Sequence, residues 1–147
     1  MTVAPTSARF NRSEWSSAFR NVDEELTNVP LKPVRGEVPD ALRGSLYRNG
    51  PGRLERDGQR VHHPFDGDGM ITALHFDAVG VRCSNRFVRT SGWKAEEAAG
   101  KVLFRGVFGS QKPGGPLANA FDLRLKNIAN TSVVRLGEDL LALWEAA

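Results

Sequence analysis

Turn-forming residues limit the length of every element that this chain can form. Among its 147 residues are 15 glycines and 8 prolines, and most of them stand between short apolar runs. Glycine permits positive φ and proline removes a backbone donor, so both interrupt strands and helices. The runs between them predict strands at residues 45–48, 70–76, 81–87, 102–108, 133–136 and 140–144. Short strands with glycine-rich turns are typical of a mainly β protein: a barrel, a sandwich or a propeller.

Two pairs of these strands are predicted to form hairpins. Met70–Phe76 is largely apolar, and Val79-Gly80 separates it from residues 81–87, where apolar and polar side chains alternate. Alternation with period two predicts a strand with one buried face, and Cys83 lies on that face. Cys83 is therefore predicted to be a core residue rather than a nucleophile. Gly137–Asp139 is predicted to be the turn of the second hairpin, between the last two strands.

Local signals mark further turns and one helix. Asn49–Gly52 is predicted to end the first strand, and Asp57-Gly58 predicts a tight turn. Trp93–Ala99 has helical composition, and Gly100 stands where a left-handed residue commonly ends a helix.

The segment after residue 109 fits two patterns. Ser110–Pro116 is predicted to be a loop because it is rich in glycine and proline. Leu117, Phe121 and Leu125 are spaced for one helical stripe, yet residues 121–125 also alternate as in a strand. The residues alone leave both patterns open.

Composition excludes several classes of protein. The net charge is only +3, from 20 Lys and Arg against 17 Asp and Glu, and no nucleic-acid-binding motif accompanies it. We therefore expect no nucleic-acid partner. The single Cys83 excludes an internal disulfide and favours a reducing compartment, the cytoplasm. The sequence has no apolar run of about 18 residues and no apolar secretory segment near its N-terminus.

The densest polar motif, His62–Met70, is a candidate metal site. His62 and His63 are adjacent and point to opposite faces of an extended chain, which disfavours a shared metal. Asp66 and Asp68 resemble the start of a calcium loop, but the positions after them lack the required oxygen ligand and glycine. The motif is therefore predicted to be a structural turn in which the two carboxylates bond local backbone amides.

Glu145 is a candidate functional carboxylate because it follows an apolar strand and an aromatic residue. A buried carboxylate there would need a partner. The alternative is a solvent-facing glutamate at a strand end, and the residues alone favour that alternative.

The chain is predicted to divide into a polar arm, residues 1–29, and a body, residues 30–147. Within the arm, Trp15 and Phe19 are four residues apart, so a short helical turn places both on one face. At the other end, the apolar strand before Glu145 has no stop signal after it, and an unpaired apolar edge favours aggregation. The 147 residues are therefore predicted to be the front part of a larger protein.

Six motifs follow one another in an order that resembles a known family. They are Arg48–Gly52, His63–Met70, Asn85–Thr90, Phe108–Gly114, Asn127–Thr131 and Leu143–Glu145. Together they resemble the N-terminal part of the carotenoid cleavage oxygenases, especially the bacterial apocarotenoid-cleaving type. The resemblance covers roughly residues 30–147.

The resemblance implies a seven-bladed β-propeller that carries a few short helices, with residues 30–147 forming the closing strands and the first blade. It also implies a non-haem Fe(II) ion on the propeller axis, held by four histidines from different blades. The family's ligand histidines lie after the Leu-Trp-Glu motif, so no iron ligand and no bound iron are expected in this chain. The implied reaction is the O2-dependent cleavage of a conjugated C=C bond of a carotenoid or apocarotenoid to aldehyde products.

The resemblance also implies roles for particular residues. Glu145 matches a glutamate that hydrogen-bonds an iron-ligand histidine and so fixes its orientation. Phe65, Phe108 and Trp144 match aromatic residues of the substrate tunnel. The stripe that contains Leu117, Phe121 and Leu125 matches a region near the tunnel mouth, where peripheral membrane contact is expected.

These expectations give a first hypothesis and an alternative. The first is that the chain is part of a carotenoid cleavage dioxygenase and is inactive by itself, because the four histidine ligands lie outside it. The alternative is a stand-alone, non-catalytic, β-rich module that binds an apolar ligand, or the product of a decaying gene.

Overall fold

A four-stranded antiparallel sheet organises the fold. The structure is a computed structural model that describes residues 11–120, 122 and 124–145. The strands are β1 Val29–Leu31, β2 Gly44–Arg53, β3 Glu55–Arg56, β4 Gln59–Arg60, β5 Asp68–Asp77, β6 Gly80–Phe87, β7 Ser132–Leu136 and β8 Asp139–Leu143. The helices are α1 Arg12–Ala18, α2 Ser91–Ala99 and α3 Gly115–Ala120. The main sheet has the order β1-β6-β5-β2, and β3-β4 and β7-β8 form separate hairpins.

The hairpin of β5 and β6 lies at the centre of the sheet, as the alternation of residues 81–87 predicted. Ala73 of β5 is paired with Ser84 of β6 on one side and with Tyr47 of β2 on the other. Cys83 is buried on the inner face, which confirms its assignment to the core. The second predicted hairpin is also confirmed, as β7 and β8.

The first strand is longer than predicted. Asn49–Gly52 does not end β2, since Gly50 pairs with Met70 and Pro51 pairs with Gly69 before a bulge near Arg53. Proline is tolerated here because β2 lies at the edge of the sheet in the described chain, where its missing donor breaks no ladder. Glycine at position 52 permits close packing, because an added Cβ would lie 2.7 Å from Cβ of Met70.

Two smaller signals are confirmed. Asp57 and Gly58 both have positive φ, of 50° and 71°, and connect β3 to β4 as a tight turn. Gly100 has a φ of 65° and ends α2, and the Thr90 hydroxyl accepts a hydrogen bond from the Trp93 amide at the other end of the helix.

The strand predicted at residues 102–108 is wrong. The backbone there makes a single bridge, between Arg105 and Leu125. Its amides are bound by side chains instead, because Glu96 accepts from the Leu103 amide at 2.9 Å and the Phe104 amide at 3.3 Å. A buried carboxylate thus replaces the neighbouring strand as the acceptor.

The loop predicted over Ser110–Pro116 is shorter than expected, because α3 begins at Gly115. The helical stripe considered for the following apolar residues is wrong. Leu117 lies on α3, which ends at Ala120, whereas Leu125 lies beyond the helix in the isolated bridge. Phe121 and Leu123 lie outside the described residues, so the alternation over residues 121–125 stays a prediction.

The N-terminal segment runs along the sheet. Short helix α1 includes Trp15. After it, the Leu26 amide donates to the Asn85 side-chain oxygen at 2.5 Å, and the Asn85 amide donates to the Leu26 carbonyl at 3.0 Å. Glu25 accepts the Phe87 amide at 2.8 Å, and β1 then pairs with β6. Residues 21–31 are therefore attached to the sheet by backbone-directed bonds.

Candidate functional site

The three aromatic residues predicted to line a tunnel meet at one groove. Phe65, Phe108 and Trp144 come from three separate segments, yet all border a groove of about 430 Å³. Its other lining residues are Asn49, Gly50, Pro51, Val107, Ile128, Asn130, Thr131 and Glu145. Most of the lining is apolar, which suits a hydrophobic ligand with few polar groups.

Two of these aromatic rings pack against each other on the groove wall. The ring centroids of Phe65 and Phe108 are 5.6 Å apart, and the ring planes meet at 78°. His63 lies beside both, at 4.8 Å from Phe65 and 5.1 Å from Phe108. Both phenyl rings are about half exposed, so they present a broad apolar surface to the groove.

Glu145 lies on the turn after β8, exposed at the rim of the groove beside Trp144. This position agrees with the solvent-facing alternative that the residues favoured. The proposed bond from Glu145 to an iron-ligand histidine stays a prediction.

Asparagine side chains connect the segments that form the groove floor. The Asn49 amide donates to the carbonyls of Ala129 and Ser132, both at 2.8 Å, and so links β2 to the start of β7. The buried Asn130 amide donates to the carbonyls of Phe65 and Gly67, at 2.9 Å and 2.7 Å. Each asparagine therefore fixes backbone that borders the groove.

Asp66 connects the two phenylalanines. Its buried carboxylate accepts the Phe108 amide at 2.9 Å and the Ser110 amide at 3.1 Å, from residues 42 and 44 positions further along the chain. The prediction that it bonds local amides is therefore wrong. The Ser110 hydroxyl in turn accepts the His62 amide at 2.6 Å, which closes a link between the two segments.

Asp68 belongs to a buried charge cluster, which consists of Arg56, Asp68, Glu96 and Lys126. Arg56 donates to Asp68 at 2.8 Å, and Lys126 lies 2.5 Å from Glu96 and also contacts Asp68. All four side chains are at most 8% exposed. Two positive and two negative charges thus compensate one another, as burial of charge requires. The prediction of local amide bonds is wrong for Asp68 too.

The histidines do not form a metal site. His63 Nδ1 accepts the Phe65 amide at 3.1 Å, whereas His75 lies on β5 and bonds the Ser45 hydroxyl at 2.9 Å. In the described ranges, no three His, Cys, Asp or Glu side chains are grouped so that they could hold a metal ion. These residues therefore do not fit an iron centre, and no chemical step is assigned to them.

Sequence patterns do not reveal the polar residues that hold the groove together. They indicate only a turn role for Asp66 and none for Asn49, Asn130 or Lys126. Their positions inside motifs rich in glycine and apolar residues are the one available signal, because a polar side chain in such a setting needs a buried partner.

Comparison with known proteins identifies the family. The model of the retinal pigment epithelial membrane protein family, RPE65, matches residues 19–147. The chain is 47% identical to the apocarotenoid-15,15'-oxygenase of Synechocystis over 145 residues, which is 98% of this chain and 29% of that protein. It is 36% identical to the chloroplastic carotenoid cleavage dioxygenase 7 of Oryza sativa over 90% of this chain and 22% of that protein. The chain belongs to the RPE65 or carotenoid cleavage oxygenase family.

Solved structures agree with this assignment. Cobalt-substituted Synechocystis apocarotenoid oxygenase is similar with a TM-score of 0.84 and 49% identity, over 90% of this chain and 28% of that chain. A chimera of that oxygenase with RPE65 gives the same values. The predicted mainly β propeller fold is confirmed, and the chain spans less than a third of the length of these relatives.

Proposed function

We propose that this chain forms one wall of the substrate tunnel in a non-haem Fe(II) dioxygenase that cleaves a conjugated C=C bond of a carotenoid or apocarotenoid to aldehyde products. One observation carries the proposal: an aromatic groove formed by Phe65, Phe108 and Trp144, in a chain 47% identical to an apocarotenoid oxygenase. The partners are the polyene and O2.

The groove suits a polyene for physical reasons. A conjugated chain is rigid and apolar, so it loses little conformational entropy on binding and gains from contact with aromatic faces. The half-exposed rings of Phe65 and Phe108 provide such faces. Their role is to hold the polyene in place and to exclude water from the reacting bond.

The Fe(II) ion supplies the dioxygen chemistry in this proposal, with its histidine ligands provided from outside residues 1–147. The contribution of this chain is Glu145, whose exposed carboxylate at the groove rim would accept a hydrogen bond from the imidazole of one ligand. Such a bond fixes the orientation and tautomer of the imidazole.

We also propose a cytoplasmic location with peripheral membrane contact through Leu117 and Leu125, with Phe121 between them in sequence. Leu117 is 87% exposed and Leu125 is 45% exposed, which leaves both available to a lipid surface. No helix in the described part of the chain is long and apolar enough to cross a membrane.

One observation favours the alternative function, a stand-alone module that binds an apolar ligand. The groove is lined mostly by apolar side chains and bordered by three aromatic residues, which is enough for contact with an apolar ligand. The two functions differ in that the module binds a polyene but supports no cleavage in any context.

A chimera separates the two functions. Residues 1–147 replace the matching segment of the Synechocystis oxygenase, and O2-dependent conversion of an apocarotenal to shorter aldehydes is followed by chromatography. We expect turnover, which Phe65→Ala should reduce. The control Phe76→Ala should not reduce it, because Phe76 lies at the end of β5 that is far from Gly69, the partner of the groove residue Pro51. A folded, iron-loaded chimera without turnover would contradict the dioxygenase proposal and favour the binding module.

A further inference from the structure

The two phenylalanines of the groove wall need support from outside their own packing. Phe65 is 57% exposed and Phe108 is 47% exposed, so neither ring is enclosed by the core. The rings nevertheless meet at a defined distance of 5.6 Å. The backbone beneath them must therefore hold the two segments in register.

Asp66 provides that support. It follows Phe65 directly in the sequence, and its carboxylate accepts the Phe108 amide at 2.9 Å. The second oxygen accepts the Ser110 amide at 3.1 Å, so the carboxylate holds the backbone at the Phe108 position and two residues after it.

The loop lies directly on this carboxylate. A Cβ added to Gly106 would overlap the Asp66 side chain, so glycine is required for the loop to approach this closely. Asp66 is only 4% exposed, and among the described residues the ion pairs do not include it. The two backbone amides therefore replace the hydrogen bonds to water that the carboxylate loses on burial. Both amides belong to the loop that carries Phe108.

Asn130 holds the other segment. Its side-chain amide donates to the Phe65 carbonyl at 2.9 Å and to the Gly67 carbonyl at 2.7 Å, on either side of Asp66. The backbone around Asp66 is thus fixed on one side by Asn130 while its carboxylate fixes the Phe108 loop on the other.

We propose that Asp66 is a positioning residue that sets the separation of Phe65 and Phe108, and thereby the fit of the groove to a rigid conjugated hydrocarbon chain. The inference rests on the proposed function for the identity of the ligand. The positioning itself rests on the two amide bonds and on the burial of the carboxylate.

Asp66→Asn tests the positioning without ligand. The amide has one acceptor oxygen in place of two, so one loop bond is replaced by an N–H facing an N–H. In residues 1–147 with labelled phenylalanine, we expect the nuclear Overhauser contact between the Phe65 and Phe108 rings to weaken or disappear. An unchanged contact in a folded Asp66→Asn protein would overturn the proposal.

Asp77→Asn is the matched control. Asp77 also accepts two backbone amides, those of Val79 at 2.8 Å and Gly80 at 3.2 Å, but it is the last residue of β5 and does not line the groove. We expect this variant to keep the contact between the phenylalanine rings. Equal loss in both variants would show a general effect of carboxylate removal and would overturn the positioning role.

Ligand binding supplies a second readout, through the shift of the apocarotenal absorbance band on titration into residues 1–147. Asp66→Asn is expected to raise Kd about fivefold, the effect of one aromatic contact. In a Phe108→Ala background it should raise Kd much less, because the ring that it positions is already gone. Equal increases in both backgrounds would overturn action through Phe108.

Ser110→Ala covers the case in which Asp66→Asn does not fold. It keeps the Asp66 carboxylate and removes only the bond from the His62 amide, so a smaller change in the same ring contact is expected. No change with Ser110→Ala, in a protein where Asp66→Asn fails to fold, would overturn the proposal. If the unmodified chimera described above neither binds nor converts an apocarotenal, the proposed function fails, while the ring contact in residues 1–147 still decides the positioning role.

Discussion

The aromatic groove and the buried charge cluster lie close together but are built in opposite ways. The groove exposes large apolar rings, whereas the cluster hides four charged side chains that are at most 8% exposed. Among the described residues, nine polar or charged residues are buried against six apolar ones. The apolar surface is thus presented to a ligand, while buried polar contacts hold the surrounding backbone in place.

Stability and ligand contact thus depend on different residues of the chain. Buried ions are expensive to disturb, because removal of one partner leaves an unpaired charge. Exposed rings contribute little to folding but much to ligand contact. Substitutions in the two regions should therefore have opposite consequences for stability and for binding.

Asp68→Ala should have the largest effect, because it leaves Arg56 and Lys126 without their shared carboxylate. We expect a loss of about 3–5 kcal/mol in the free energy of unfolding, measured by urea denaturation. Asp77→Ala, at the end of β5 where the side chain is 28% exposed and pairs with Arg82, should lose only about 1 kcal/mol. Similar losses for both would remove the distinction between the buried cluster and the surface.

Glu96→Gln should have the next largest effect. Glu96 faces Lys126 with one oxygen and the Leu103 and Phe104 amides with the other, so the neutral side chain loses a charge-assisted bond. We expect a loss of about 2 kcal/mol in the free energy of unfolding. Glu97→Gln on the same helix, where the side chain is 44% exposed, is the control and should change much less.

Phe108→Ala should weaken ligand binding much more than it lowers stability, the reverse of the substitutions in the charge cluster. Since the ring is about half exposed, the free energy of unfolding should fall by about 1 kcal/mol or less. The Kd for an apocarotenal, measured by titration, should rise about tenfold. A large loss of stability with unchanged Kd would show that the ring belongs to the core rather than to a binding surface.

Substitution of Glu25 should have the smallest effect on stability, because its charge partners Arg86 and Arg89 are more than half exposed. The bond from the Phe87 amide, followed by Arg89 and Arg86, lowers the pKa of Glu25 from its ordinary value of 4.5. A lowered folded-state pKa adds stability above pH 4.5 that is lost as the pH falls through the folded pKa. Glu25→Gln should flatten this acid limb in a series of Tm measurements, and an unchanged limb would contradict the assignment.

The sequence predicted those parts of the fold that depend on neighbours in the chain. The β5–β6 hairpin and the turn at Asp57-Gly58 follow from alternation and glycine, and both are confirmed. The strand at residues 102–108 failed because carboxylates of Asp66 and Glu96 bind its amides, and local patterns do not report such partners. The groove aromatics came from the family resemblance, since nothing local connects Phe65 with Trp144.

A titration of residues 1–147 with an apocarotenal, followed by NMR of the aromatic side chains, tests directly whether the aromatic groove is the binding surface. The stacked pair of buried Phe87 and half-buried Trp93, whose ring centroids are 5.8 Å apart, is an internal control because neither residue lines the groove. We expect the signals of Phe65, Phe108 and the Trp144 indole to shift while those of the control pair stay. Equal shifts in both sets, or no shift at saturating apocarotenal, would contradict this expectation.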